Sequence, residues 1–409
     1  MKALVLCGGV PQIALIKELK SRGIETVLAD MNENVKARAY ADKFCRASVL
    51  DVEAIKAVAI EEKVDFLITV CADQVLEVVA KIAGELGLPW YIDAETAENV
   101  SKKSYMKRIF WENGVPTTKY VVVDGYDKEK FSALSYPIIV KPTDAYSSRG
   151  VTKVNNDEEL KSALGLALSI SREGRAIVEE FAEGEEISVD VYVEGGVAHV
   201  LCLTNLYKIG EDGKFVINRS RIPADVSEEI AGQIAKTAQK IATAFGLSDT
   251  PMLIQLISDG KKISVVEFCA RTGGGIKFQM IKKFSGFDVV RAVVDLTLGI
   301  KPHVGEIKKP ERITINEFVY CKPGTLERVE GFGELLSEGV ICDYSEFKMP
   351  GSVFGEIKGS GDRVAFFSIE ADSKSELLEK HRSANERIRA ISTQGEDLIR
   401  HDLIEKFQI

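Results

Sequence analysis

The sequence predicts an α/β chain in three parts. These are a doubly wound, parallel-sheet unit over 1–95, an α+β region over 96–300, and a small α+β unit over 301–409. Three observations carry this expectation. Strand and helix patterns alternate at the start, as in a parallel sheet wrapped by helices. The middle replaces alternation with hairpin signals at Gly195-Gly196 and Asp259-Gly260. Pro302 and Pro310 then mark a linker.

Element by element, Lys2–Cys7 reads as an apolar strand and Pro11–Arg22 as a helix. Glu25–Ala29 and Asp65–Val70 read as further strands, and Gln74–Leu86 as a helix stopped by Gly87 and Pro89. Ser101–Glu112 reads as one charged helix running into Gly114-Val115-Pro116. Strands follow at Thr118–Val123 and Tyr136–Lys141, then a polar loop over 143–150 and a helix at Asp157–Ser171. Ala176–Phe181 and Glu186–Val193 read as antiparallel strands, and Ser227–Phe245 as a long amphipathic helix. Met252–Ser258 and Lys262–Phe268 form a hairpin, and Asp288–Leu298 a closing helix.

The 53 basic and 62 acidic residues leave a net charge of −9, which does not advertise a nucleic-acid or anionic-membrane surface. No signal peptide is visible and no apolar stretch is long enough for a bilayer span. Seven scattered cysteines without a C-x-x-C pair suit free thiols in a reducing cytoplasm. The four histidines form no pair at helical spacing, which argues against zinc hydrolysis. Cys7-Gly8-Gly9-Val10-Pro11-Gln12, with Asp30 following, is a partial dinucleotide fingerprint. It lacks the third glycine, so a tight structural turn is the better reading.

The middle region is more specific. Tyr136-Pro-Ile-Ile-Val-Lys141-Pro puts a lysine at the end of an apolar strand. The loop Asp144–Gly150 comes next, with Ser147, Ser148 and Arg149 as phosphate donors. Ile177–Ala182 supplies a strand edge for an adenine ring, and the acidic run after it can take ribose hydroxyls. Gln255 and Glu267 lie on neighbouring strands, and Glu267-Phe-Cys-Ala-Arg271-Thr-Gly-Gly-Gly275 sets oxygen ligands beside an arginine, as Mg²⁺ and a terminal phosphate require. Each glutamate alone would be a solvated charge. The ordered set is what carries meaning.

This ordered set resembles the ATP-grasp superfamily, and most closely the carboxylate–amine ligases related to bacterial L-amino-acid (dipeptide) ligases. The resemblance covers nearly the whole chain and implies an ATP-grasp fold over 96–300, with ATP and Mg²⁺ as cofactors. Lys103, in Lys-Ser-Tyr-Met-Lys-Arg, stands in the place of the first phosphate lysine, and Lys141 in that of the second. Residues 144–150, including Ser147, Ser148, Arg149 and Gly150, match the mobile phosphate loop. Glu179, Glu180, Phe181 and Ala182 match the adenine strand, and Glu186 the ribose carboxylate. Gln255 and Glu267 match the metal positions, and Arg271 with Lys141 the catalytic charges. The chain departs from the family at Lys102, where aspartate is usual, at Gln255, where a carboxylate is usual, and at Cys269, where asparagine is usual.

The implied reaction joins a small-molecule carboxylate, an amino acid or related acid, to an amine through an acyl-phosphate, with release of ADP and phosphate. Cys269 is expected to be a packed thiol rather than a ligand, and Gln255 a weak or water-mediated one. Asn218, Arg219 and Arg221, in a loop over 205–221, are candidates for a substrate carboxylate, with a solvated loop as the plain alternative. A homodimer is a candidate assembly. The alternatives are a bicarbonate-using ATP-grasp carboxylase and a degenerate, non-catalytic nucleotide-binding module. A nicotinamide oxidoreductase would leave 141–275 unexplained.

Overall fold

The computed structural model describes all residues except 146–148, 210–214, 309, 311 and 406–409. At the N-terminus, β1 (Lys2–Leu6), β2 (Glu25–Asp30), β3 (Lys43–Arg46) and β4 (Phe66–Ile68) form a parallel sheet in the order β3-β2-β1-β4. Alternate residues serve opposite faces. Val5 and Leu28 pack with Leu15, Ile16 and Val293 on one side, and Leu4 and Val27 with Ile55 and Val79 on the other. Burial on both faces is why these strands read as continuous apolar runs. Val293 belongs to the late helix Val289–Thr297, so the chain returns to close this unit. The pattern at 43–46 and the helix Val52–Glu61 carry weak signals and are additions to the sequence reading.

A second, antiparallel sheet comprises β5 (Tyr120–Val123), β6 (Ile138–Pro142), β7 (Thr152–Val154) and β8 (Ala176–Glu180), in the order β5-β8-β6-β7. Helix Asp157–Ile170 covers one face and buries Leu160, Ala163 and Leu164 against Ile138, Val140 and Val178. Asn156 caps it, its side chain accepting from the amides of Glu158 and Glu159.

The third sheet has eight strands. β9 (Glu185–Glu194), β10 (Val197–Lys208), β11 (Ile217–Ile222), β12 (Thr250–Ser258) and β13 (Ile263–Cys269) come from before residue 300. β14 (Ile313–Val319), β16 (Asp343–Glu346) and β18 (Ala365–Ala371) come from after it. The order is β13-β12-β9-β10-β11-β14-β18-β16, so hydrogen bonding continues across the proline-marked linker. The remaining strands, β15 (Gly324–Glu330), β17 (Val353–Phe354) and β19 (Arg389–Ser392), make a small sheet in the order β17-β15-β19. On β9, Ile187, Val189 and Val191 face helix Glu228–Ala244 through Ile230, Ile234 and Ile241. The intervening Glu186, Ser188 and Asp190 therefore share the opposite face. No helix among the described residues is long and apolar enough to cross a membrane.

Two expectations need correction. The helix expected over 101–112 is present but begins at Lys103, and Ser101 instead ends a separate helix, Ala94–Ser101, that the sequence reading did not assign. Lys102, extended at φ −89° and ψ 105°, ends one and begins the other. The stretch at 205–221 is not a solvated loop: β10 runs to Lys208 and β11 occupies Ile217–Ile222. Polar side chains at Asn218, Arg219 and Ser220 hid a buried strand, because their partners lie far along the chain.

Candidate active site

The second and third sheets enclose a cavity of about 460 Å³. Gly184 makes the passage from β8 to β9. Its φ is +133°, and a Cβ there would stand 2.1 Å from the Ser258 carbonyl oxygen, so only glycine fits. Gly150 is likewise required by packing, with φ +74° and an added Cβ 2.8 Å from Ile170.

Lys141 leaves the end of β6 and lines the cavity. Its Nζ lies 2.5 Å from Glu179 Oε1, and the other oxygen of that carboxylate lies 2.5 Å from Lys107 Nζ. Thr118 Oγ1 donates to Glu179 Oε2 at 2.8 Å, and Lys107 donates to Thr117 Oγ1 at 2.6 Å. Burial pushes the Glu179 carboxyl up, but Lys107 and Lys141 outweigh it and hold it at about 2. Burial pulls the Lys107 ammonium down to about 8 against the opposing pull of Glu179. Lys107 is a site residue that sequence reading missed. The signal available was its spacing: 103, 107 and 110 share a helix face, and Phe110 on that face is fully buried.

Lys103 donates to the Ala145 carbonyl at 2.8 Å and lies 3.4 Å from Glu267 Oε2, tying the start of the 144–150 loop to β13. Gln255 stands directly opposite Glu267 in the β12–β13 pairing, and its Nε2 donates to Glu186 Oε1 at 3.2 Å. Glu186 also pairs with Lys208. Arg149, Glu180, Phe181 and Ala182 line the same cavity. Ser147 and Ser148 lie outside the described residues. The cavity thus gathers Lys103, Lys141, Arg149, the Glu179–Ala182 strand, Glu186, Gln255 and Glu267.

Arg271 does not line it. The guanidinium is held by Asp73, beyond the end of β4, donates to the Thr272 carbonyl at 2.6 Å, and borders a smaller recess with Cys71 and Tyr91. A small cleft lined by Asp73, Lys103, Glu267 and Cys269 shares Lys103 and Glu267 with the large cavity. The Cys269 thiol lies 3.8 Å from Arg271, and burial, with Asp73 beside it, pushes it well above the ordinary thiol range. It stays a neutral thiol.

The candidates at 218–221 lie elsewhere. Arg219 is paired with Tyr207 and Glu317 across the sheet, one residue out of phase with the Glu186–Leu206 row that borders the cavity. It is ion-paired to Glu317 and donates to the Ile404 carbonyl at 3.0 Å. Asn218 donates to the Leu403 carbonyl at 3.3 Å, and Arg221 to Asp225 at 2.9 Å. Arg219 and Asn218 hold structure together rather than face a ligand.

Residues 134–279 match the model of the ATP-grasp domain. The chain is 34% identical over 161 residues to the D-alanine–D-alanine ligase of Thermoanaerobacter sp. (strain X514), a match covering 36% of this chain and 44% of that protein. It thus spans less than half the length of that relative. It is 28% identical over 320 residues to the phosphoribosylamine–glycine ligase of Lactococcus lactis subsp. lactis (strain IL1403), covering 74% of this chain and 69% of the relative. In fold it is similar to the L-amino acid ligase from Bacillus licheniformis, with a TM-score of 0.77 at 20% identity over 96% of this chain and 98% of that one. Residues 134–279 thus carry an ATP-grasp domain, in a chain whose fold is that of an ATP-grasp enzyme.

Proposed function

We propose that the chain is an ATP-dependent carboxylate–amine ligase working through an acyl-phosphate. The observation that carries the reading is one cavity in which Lys103 and Lys141 face the backbone edge of Glu179–Ala182, with Glu186 and Glu267 at its rim. Two basic groups beside an acidic pair, next to the backbone at Phe181–Ala182 just past the end of β8, suit a nucleoside triphosphate. The relatives' names, each a ligase, point the same way.

In this reading the Glu180–Ala182 backbone meets the adenine edge and Glu186 the ribose hydroxyls. Lys103, Lys141 and Arg149 take phosphate oxygens, helped by Ser147, Ser148 and Gly150 in the loop. A carboxylate oxygen of the acid attacks the γ-phosphorus and ADP leaves. The amine then attacks the acyl carbon and displaces phosphate, giving an amide. The protein's part is positioning and fixed charge. Arg271, held by Asp73 at the neighbouring cleft, adds positive charge on that side of the site.

Glu267, with the amide oxygen of Gln255, suits Mg²⁺ in donor type, since both offer hard oxygens and Mg²⁺ takes one or two carboxylates alongside substrate phosphates. When bound, the ion supplies charge neutralisation at the phosphates. The division into a doubly wound unit (1–95), an ATP-grasp unit (96–300) and a C-terminal unit (301–409) belongs to the same reading. So does a cytoplasmic location, which seven free thiols suit.

The test labels the carboxylate of the acid substrate with heavy oxygen. One label is expected in released phosphate. One label carried into AMP instead, with pyrophosphate released, would mean adenylation. Phosphate release that depends on bicarbonate alone would favour a carboxylase.

A further inference from the structure

Glu179 is met by more positive charge than one carboxylate needs. Lys141 Nζ lies 2.5 Å from its Oε1, and Lys107 Nζ lies 2.5 Å from its Oε2. All three side chains are buried, so the cluster holds two ammonium groups, one carboxylate and a surplus of one positive charge. Burying an ammonium is costly unless it is paired, and Lys141 alone would pair Glu179. The second lysine calls for a reason.

The two lysines are held differently. Lys107 is 1% exposed and is not among the described residues that line the cavity. Its three N–H groups have three acceptors: Glu179 Oε2, Thr117 Oγ1 at 2.6 Å and Thr118 Oγ1 at 3.4 Å. Thr117 in turn donates to the Val265 carbonyl at 2.9 Å, and Thr118 to Glu179 Oε2 at 2.8 Å. Lys107 is thus fixed between β8 and β13. Lys141 lines the cavity and has one partner among the described residues, Glu179, which leaves two of its three N–H groups for a ligand.

We propose that Lys107 is a positioning residue for ATP: by neutralising Glu179 from the packed side, it leaves the charge of Lys141 to the nucleotide's phosphates. This role rests on the ATP reading above. With both lysines present the cluster carries one net positive charge, and Lys141 is the member that presents it to the cavity. Without Lys107 the net charge is zero. Glu179 then has Lys141 as its one ammonium partner, and a phosphate must compete with a buried carboxylate for it. In a low-dielectric interior that competition is strong. Lys107 therefore acts on a ligand that it does not touch.

The experiment titrates ATP, with Mg²⁺, into the full chain by calorimetry. Lys107→Met removes the charge and keeps the stem, and is expected to raise the Kd for ATP about 10-fold. Combining it with Glu179→Gln removes the carboxylate as well and returns the cluster to one net positive charge, on Lys141. The double variant is expected to bind within about threefold of wild type, so that the second substitution restores what the first took away. A merely structural Lys107 predicts the opposite, because a second change in one buried cluster adds to the damage. Wild-type affinity in Lys107→Met, or a double variant that binds no more tightly than Lys107→Met, overturns the role. Should Lys107→Met fail to fold, the double variant is compared with Glu179→Gln alone. With the carboxylate gone, loss of Lys107 should change the Kd by no more than about threefold, and a weakening of about 10-fold overturns the role. A wild-type protein that binds no ATP means that the nucleotide reading itself has failed, and the role of Lys107 with it.

Discussion

Two buried clusters in this molecule have nearly the same chemistry and opposite situations. In one, Glu179 is held between Lys107 and Lys141. In the other, Glu317 is held between Arg219 and His381, whose Nε2 lies 3.0 Å away. All six side chains are buried. The first cluster joins helix Lys103–Glu112 to β6 and β8 and opens through Lys141 on the large cavity. The second joins β11 to β14 and helix Lys374–Arg387, and Arg219 is further spent on a backbone carbonyl near the C-terminus. A buried ion pair is poor evidence of stability by itself, although removing one partner is costly. What separates these two is spare hydrogen-bonding capacity facing open space. Lys141 has it, which suits exchange between Glu179 and an incoming phosphate. The Glu317 cluster faces packed protein.

The largest expected effect lies just outside both clusters, at the carboxylate beside Lys103. Glu267→Gln should lower turnover by at least about 10³-fold, the scale of a lost charge-stabilising group, with little change in thermal midpoint. Glu267 is partly exposed and its only described ion pair, to Lys103, is 3.4 Å long. Steady-state kinetics and a melting curve decide it. Near-wild-type turnover would remove the metal from this place.

The comparison itself is tested by one substitution in each cluster. Glu317→Ala should cost about 3–5 kcal/mol of stability, because it strands a buried guanidinium, while nucleotide affinity in the folded fraction stays put. Lys141→Ala should do the reverse, weakening ATP binding by about 1.5–3 kcal/mol at a smaller cost in stability, since Lys107 still neutralises Glu179. Denaturant unfolding and calorimetric ATP titration on both variants are the measurements. Equal effects on both readouts would erase the distinction between an open cluster and a closed one.

Acid should sharpen it further. The Glu179 carboxyl is held at about 2 in the folded chain against an ordinary 4.5. Its contribution is fully present above pH 4.5 and is lost as pH falls toward 2, because the unfolded chain binds the proton first. The shift corresponds to about 3 kcal/mol. Glu179→Gln should flatten the acid limb of a stability–pH profile by that order. An unchanged limb would show that Lys107 and Lys141 do not hold the carboxylate as described.

Much of this was readable from the residues, and the failures have a common cause. Apolar period-two strands and the Gly195-Gly196 and Asp259-Gly260 turns are local signals, and the strands and hairpins they announce are present. Lys141, Glu186, Gln255 and Glu267, which line one cavity, could be singled out because each sits at a marked place on such a strand. Lys107 was missed because a lysine in a charged helix reads as solvated until Glu179 is known to lie beside it. β11 was missed because Asn218, Arg219 and Ser220 look like a loop, and Arg219 is satisfied by a carboxylate 98 residues away. Lys102 separates two helices with no glycine or proline to announce it. Where a residue's energy comes from a partner distant in sequence, the sequence is silent.

The smallest effect is expected at Gln255, where the family pattern that the sequence resembles would have a carboxylate, and it bears on whether the open cluster's neighbourhood is tuned for metal or for nucleotide. Gln255 faces Glu267 across β12 and β13 while its amide donates to Glu186 at 3.2 Å. Gln255→Glu gives the metal position a second carboxylate but turns that donor into a like charge beside Glu186. Lys208, paired with Glu186, remains to absorb part of the repulsion. The two consequences oppose each other, and each is of the order of about 1 kcal/mol for groups that stay in reach of solvent. Tighter Mg²⁺ dependence should therefore come with a weaker KM for ATP, turnover staying within about threefold, less than 1 kcal/mol. Activity measured over a grid of Mg²⁺ and ATP concentrations separates the terms. A loss of turnover far beyond that range, with no gain in Mg²⁺ affinity, would mean that the amide at 255 serves to hold Glu186 for the nucleotide and takes no part in metal binding.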